Sequence, residues 1–234
     1  MRKKIIVRAP TLSRSGYGEQ ARFALRALRT REDLFDIYIL NIPWGSTGEI
    51  MTGGEEAEYI RDKIKTTAIY MQQPYPPFDL SLQVTIPNEF QKMALVNIGY
   101  TAGIETTKVS PEWIEKCNGI IDRLIVVSEH SKNVFEQTKY AVQDNNGVQI
   151  PDWGLIKPVT AVNYAVRPTE PESIEIEFTT TKNFLTVAQW GPRKNLENTI
   201  GWFVQEFKDD EDVGLVVKTN TASDCIVDRE HTTK

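Results

Sequence analysis

The chain of 234 residues carries 27 basic and 32 acidic side chains, a formal net charge of −5, with 40% hydrophobic and 25% charged residues. This is an ordinary globular composition, long enough for one large α/β domain or two modest ones, and its acidic balance argues against a nucleic-acid groove or a strongly basic membrane face. Two distant cysteines, Cys117 and Cys225, and two histidines, His130 and His231, suggest neither a disulfide framework nor a zinc site.

The amino-terminal MRKKIIVRAP lacks the apolar run of a signal peptide, and the longest apolar stretches are strand-sized, so the expected setting is the cytoplasm. Residues 5–7 are a β-branched run and predict a buried first strand. The loop APTLSRSGYGEQ follows, after which residues 19–29 place Ala21, Ala24, Leu25 and Leu28 at helical spacing. Residues 35–40 (FDIYIL) predict a second strand, 55–65 a helix and 68–71 a short strand. The three prolines of QQPYPPF can continue neither a helix nor a central strand. Residues 82–86 and 95–100 predict further strands, and 111–116 a helix capped by Ser110 with Pro111 at its first position. A buried strand is expected over 124–127 and a helix over 129–140. Residues 141–158 break the pattern with Asn, Gly and Pro, before a last strand over 159–166.

The connector RPTEPESIEIEF then leads to a restarted rhythm: strand 184–188, helix 196–207, strand 213–217 and a polar tail from 219. Alternating strands and helices predict an α/β class with parallel sheets. The expected organisation is a Rossmann-like domain over 1–166, a linker over 167–182, and the start of a second βαβ domain over 183–234. Two strands and one helix cannot cover both faces of a parallel sheet, so the second domain is expected to be truncated here or docked on the first.

Four segments have the residue types for chemistry. In SRSGYGEQAR, Gly16 and Gly18 sit between the first strand and helix, where glycine allows close backbone approach and a helix start offers N–H groups to an anion; a plain turn that needs glycine explains them equally. In GYTAGIETTKVSPEW, Thr101 and Glu105 follow the carboxyl end of a strand, where open α/β sheets bind ligands, and Glu105 has the chemistry to hydrogen-bond a substrate hydroxyl; a solvated threonine-rich turn is the plainer alternative. In VVSEHSKNVF, Ser128 suits an N-cap, and a cap at a crevice also presents N–H groups. In FLTVAQWGPRKNLENTI, Arg193 and Lys194 precede Asn195, a candidate N-cap. Two cations beside a positive helix end repel each other unless an anion joins them, and a diphosphate suits both the planar Arg fork and the Lys point charge; a solvated loop with two surface cations is the plainer alternative.

In their order and spacing, SGYGEQAR, IDRLIVVSEHSKNVF and FLTVAQWGPRKNLENTI resemble retaining glycosyltransferases of family 4, over about residues 4–218. The resemblance implies the GT-B fold, two Rossmann-like domains, and transfer of a sugar from a UDP- or GDP-sugar to an acceptor hydroxyl with retention. It implies no bound cofactor and no metal, and an acceptor that is a carbohydrate or lipid-linked, which leaves room for peripheral membrane contact. By position, Lys194 with Arg193 would hold the donor diphosphate, Gly16 and Gly18 would lie near the phosphates or acceptor, Thr101 and Glu105 would face the reacting sugar, and Tyr17, Tyr100, Ser128 and Gln189 would line the cleft. The chain departs from the family pattern in three places. Gln189 replaces its first cation, Tyr100 and Thr101 stand where a histidine is often found, and its later acidic motif would fall beyond Lys234. A catalytically silent acceptor- or partner-binding module is the rival reading. A nucleotide-cofactor oxidoreductase ranks below both, because Asn41 and Ile42 occupy the place of the acidic ribose ligand.

Overall fold

The computed structural model describes residues 2–50, 54–74, 77–143, 147–173, 175–221 and 226–232. Cys225, residues 75–76 of the proline-rich loop, residues 144–146 and the side chain of His231 lie outside the described residues. The chain divides into two compact units, Met1–Trp44 with Glu49–Val166, and Gly45–Gly48 with Arg167–Lys234.

The first unit is built on six parallel strands, β1 (Lys3–Ala9), β2 (Phe35–Asn41), β3 (Phe78–Val84), β4 (Ala94–Thr101), β5 (Arg123–Val126) and β8 (Val159–Ala161). Their order is β2-β1-β3-β4-β5-β8, the parallel α/β sheet that the alternating pattern predicts. Helices α1 (Gly16–Arg29), α2 (Gly54–Met71), α3 (Pro111–Ile120) and α4 (Glu129–Gln137) join the strands, and an antiparallel hairpin, β6 (Lys139–Gln143) with β7 (Gln149–Gly154), precedes β8.

Strand periodicity divides the core. Ile5 pairs with Ile37 and Leu80, and Val7 with Ile39 and Leu82, so these side chains share one face and bury against Ala21 and Leu25 of α1. Leu124 and Val126 belong to a second cluster with Ile114 and Cys117 of α3 and Val134 and Phe135 of α4. Burial raises the Cys117 thiol to about 12, which leaves it a packing group. The connection from β3 to β4 contains no α-helix, only a 3-10 turn at Pro87–Glu89, and it is held down by side chains. The fully buried Asn97 accepts from the N–H groups of Met93 and Ala94 and from the Ser81 hydroxyl, and Gln83 exchanges two hydrogen bonds with the backbone of Gln91.

Several elements differ from the expected ones. Residues 68–71 are the last turn of α2 rather than a strand. Thr66 and Thr67 return their hydroxyls to the carbonyls of Asp62 and Lys63, so these β-branched residues satisfy their polar groups within the helix. The Thr67 oxygen also accepts from the Ile39 N–H, so α2 occupies the outer edge of β2. Helix α4 stops at Gln137 because Thr138 binds the Val134 carbonyl and receives the Val109 N–H. The irregular stretch 141–158 holds most of the hairpin, where Tyr140 pairs with Trp153 and Val142 with Ile150. The strand expected over 159–166 ends at Ala161, and the one expected over 82–86 ends at Val84.

The second unit has two parallel strands, β9 (Lys182–Val187) and β10 (Val213–Lys218), joined by α5 (Leu196–Phe207), with a short α6 (Ile226–Thr232) in the expected polar tail. Phe184 of β9 packs on Phe203 and Phe207 of α5 at ring separations of 5.9 and 5.6 Å. On the alternate positions, Leu185 and Val187 are 67% and 62% exposed.

Candidate functional site

The first unit has a topological switch between β1 and β3. The chain leaves β1 toward β2 on one side and leaves β3 toward β4 on the other, the arrangement at whose carboxyl strand ends open α/β sheets bind ligands. One wall is the loop from Pro10 to Ser15 and the first turn of α1. Ser15 is the N-cap, accepting the Gly18 N–H at 3.1 Å. Gly16 and Gly18 are therefore helical residues, not turn residues. A β-carbon on Gly18 would fall 2.0 Å from the Ser13 carbonyl oxygen, so glycine there permits the loop to pack on the helix, whereas at Gly16 nothing lies within 4 Å.

The buried Arg22 fixes that loop from below. Its Nη1 donates to the carbonyls of Thr11 and Ser13, both at 2.9 Å, and Nε and Nη2 donate to Glu19 Oε2 at 3.0 and 2.7 Å. Asn41, where a dinucleotide fold would hold a ribose, instead accepts from the Thr11 hydroxyl and the Leu12 N–H.

Tyr17 crosses to the second wall. Its hydroxyl lies 3.0 Å from the buried Thr101 hydroxyl and accepts the Ala102 N–H at 3.0 Å, while its ring lies 4.3 Å from that of Trp44. Burial raises the Tyr17 pKa against the lowering effect of those hydrogen bonds, and the nearby Tyr164 and Glu89 raise it further. Glu89 belongs to the 3-10 turn after β3. Its Oε2 accepts the Thr85 hydroxyl at 2.5 Å, and its backbone carbonyl accepts from Arg8 Nη1 at 3.1 Å. Burial lowers the Arg8 pKa, and the charge of Glu89 opposes that shift.

The remaining predicted residues separate. Glu105 is exposed in the turn after Gly103 and makes no hydrogen bond or ion pair among the described residues. Ser128 is the N-cap of α4, accepting from the Ser131 N–H at 3.0 Å, and Ser131 in turn receives the Ile104 N–H. The exposed His130 ring meets the Thr106 carbonyl at 3.2 Å. Tyr100 turns under α1, where with Phe23, Ala27, Leu82 and Ile125 it lines an apolar cavity of about 410 Å³.

In the second unit, β9 leads into a tight turn in which the N–H groups of Lys194 and Asn195 both donate to the Gly191 carbonyl. Asn195 has φ 53° and ψ 40°, a left-handed conformation that asparagine tolerates, and its side chain accepts from Asn198 Nδ2 instead of capping a backbone N–H. Arg193 and Lys194 are exposed and have no ion-pair or hydrogen-bond partner for their side chains among the described residues. Together with Gln189, Trp190, Gly191 and Pro192 they line a concavity of about 250 Å³. Gln189 donates from its side chain to the Thr221 carbonyl at 3.4 Å.

Among the described residues no group of three or more His, Cys, Asp or Glu is placed to hold a metal, and no helix is long and apolar enough to cross a membrane. No family model, curated protein or solved structure matches the chain.

The sequence reading passed over Arg8, Trp44 and Glu89. The expected strand over 82–86 runs two residues past the true end at Val84, and this hid Thr85 and the turn carrying Glu89 as strand and connector. The only signal for Glu89 was a charged residue shortly after Pro87 in IPNEF, which gains meaning once the strand order places it at the switch point.

Proposed function

We propose that the chain belongs to a glycosyltransferase that moves a sugar from a UDP- or GDP-sugar to an acceptor hydroxyl with retention. The carrying observation is the pair of exposed cations, Arg193 and Lys194, at the amino end of α5, whose side chains make no ion pair among the described residues. Repulsion between them and the helix dipole makes the empty arrangement unfavourable, and a diphosphate relieves it.

In the reaction the bond from the anomeric carbon to the diphosphate oxygen breaks with its electron pair going to the diphosphate. The acceptor oxygen bonds to the same face of that carbon, and its proton passes to the departing diphosphate. Charge growing on the leaving group is what Arg193 and Lys194 would stabilise, by about 2–4 kcal/mol for a well-aimed donor. The acceptor side is assigned to the strand ends of the first unit, with Thr101 at the end of β4 and Glu105 in the loop that follows it.

The test is thermal denaturation with UDP, GDP, ADP and NAD. One of the nucleoside diphosphates should stabilise the protein, by about 2.7 kcal/mol at 100 times Kd, and Lys194→Ala should weaken that binding by about 10- to 100-fold, the loss of a charge-assisted contact. Stabilisation by NAD alone, or by no nucleotide at all, overturns the assignment. A non-catalytic partner-binding module is the second reading, favoured by the exposure of Leu185, Val187 and Trp202 in the second unit; it predicts no nucleotide response.

A further inference from the structure

The carboxylate of Glu89 is half-buried, and its known partners leave it unfinished. Oε2 takes the Thr85 hydroxyl, while Arg8 binds the backbone carbonyl of the same residue and not the carboxylate. An ionised carboxylate has acceptor sites for about four hydrogen bonds, and no second donor reaches this one among the described residues. Thr85 lies beyond the Val84–Tyr100 pair at the end of the β3–β4 ladder and donates its N–H to the Tyr100 carbonyl. Glu89 is thereby tied to the strand ends through the Thr85 hydroxyl and the Arg8 guanidinium.

Three aromatic side chains gather at the same end of the sheet. Tyr17 is fixed through its hydroxyl to Thr101 and Ala102, Trp44 lies at 4.3 Å from its ring, and the hydroxyl of Tyr164 approaches the Ala102 carbonyl at 3.5 Å. Thr85 and Thr101 directly follow the paired Val84 and Tyr100 on neighbouring strands, so Glu89, bound to the Thr85 hydroxyl, and Tyr17, bound to the Thr101 hydroxyl, meet at the same two strand ends. Rigid rings offer flat apolar faces at little entropic cost, and a carboxylate at the same strand ends takes hydroxyl hydrogens. A pyranose has this complementary character, with C–H groups on one face and hydroxyl donors at the rim. The positive charge of Arg8 close behind Glu89 lowers the advantage of a cationic ligand over a neutral one.

We propose that Glu89 is the hydroxyl-binding carboxylate of a sugar subsite in the first unit, with Tyr17 and Trp44 as its aromatic platform. The inference rests on the sugar-transfer reading for its role, the acceptor side, and it selects a neutral carbohydrate ring as the group bound there. Glu89 acts by direct contact with the ligand and is distinct from Glu105, which lies after β4.

Saturation-transfer difference NMR on the full chain tests it, using the methyl pyranosides of glucose, galactose, mannose and N-acetylglucosamine. Saturation should reach the ring protons of at least one glycoside. Glu89→Gln keeps the side-chain shape and an oxygen for Thr85, and should weaken that binding about tenfold, as expected for one charged hydrogen bond, with the melting temperature unchanged. Trp44→Ala should abolish the transfer. No transfer to any of the four glycosides, or transfer that survives Glu89→Gln unchanged, overturns the proposal. UDP and GDP binding measured on the same variants depends on Lys194 and should stay as in the parent, so loss of this subsite and loss of the donor reading give separate results.

Discussion

The two units treat their charges and their apolar strands in opposite ways. In the first, Arg22 is buried on two carbonyls and Glu19, Arg26 is held by both oxygens of Glu56, and Arg8 reaches a backbone carbonyl. In the second, Arg193 and Lys194 stand in solvent without a partner among the described residues. The strands follow the same division. Ile6, Val7 and Ile39 are fully buried in the first unit, whereas Leu185 of β9 is 67% exposed. Parallel strands are stable when both faces are covered, so the first unit is an assembled scaffold and the second keeps surface and charge available for something else. A group already satisfied by its own fold has a structural role, and a group left unsatisfied on an ordered turn is where a ligand gains most.

The sharpest way to break the comparison is at a glycine. Gly18 is packed so closely that any β-carbon would overlap the Ser13 carbonyl, a backbone atom with no rotamer to escape into. Gly18→Ala should cost at least about 3 kcal/mol or prevent folding, measured by urea denaturation. A variant as stable as the parent would show that the loop does not rest on α1, and with it the wall of the switch-point crevice would be misplaced.

Next in size is a contrast between cations. Arg22→Ala removes four hydrogen bonds from a buried site and leaves the Thr11 and Ser13 carbonyls without that donor. The expected loss is about 2–4 kcal/mol. Lys194→Ala removes no such contact and should change stability by no more than about 0.5 kcal/mol in nucleotide-free buffer. Equal losses at the two positions would mean that Lys194 has a structural partner, and its charge would need no bound anion.

The periodic parts of this architecture were legible. The β-branched run at Ile5, the helical spacing from Ala21 to Leu28 and the FDIYIL strand each show a period that burial enforces, and helix 196–207 has the bounds its pattern gives. Legibility failed where side chains replaced periodicity. Asn97 and Gln83 hold the β3–β4 connection through hydrogen bonds that no period announces, and residues 68–71 are helical as the end of an 18-residue helix, whose continuity outweighs their local strand-like composition. The hairpin around Tyr140 and Trp153 was masked by the turn residues between its strands. At the candidate site, the cationic turn before α5 could be read locally, because strand, turn and helix are contiguous. Glu89 could not, since Arg8 is brought to it by strand order across a sequence separation of 81 residues, and Tyr17 reaches the same strand ends through Thr101 across 84.

The smallest expected effect sharpens the contrast from the other side. Gly201 sits in the interior of α5, exposed, with nothing within 4 Å of where a β-carbon would stand. Glycine there has no packing reason of the kind that Gly18 has, and it leaves the helix with excess backbone freedom in the unfolded state. Gly201→Ala should therefore stabilise α5 by about 0.5–1 kcal/mol. In native-state hydrogen exchange this slows the α5 amides by about two- to fivefold and leaves those of β1 and β3 unchanged, because local opening free energies belong to the unit that opens. Slower exchange confined to α5 would show that the turn carrying Arg193 and Lys194 sits on a helix that opens independently of the large sheet. Slower exchange throughout both units would show instead that they unfold together, and the exposed face of β9 would then have to be treated as part of a single cooperative structure.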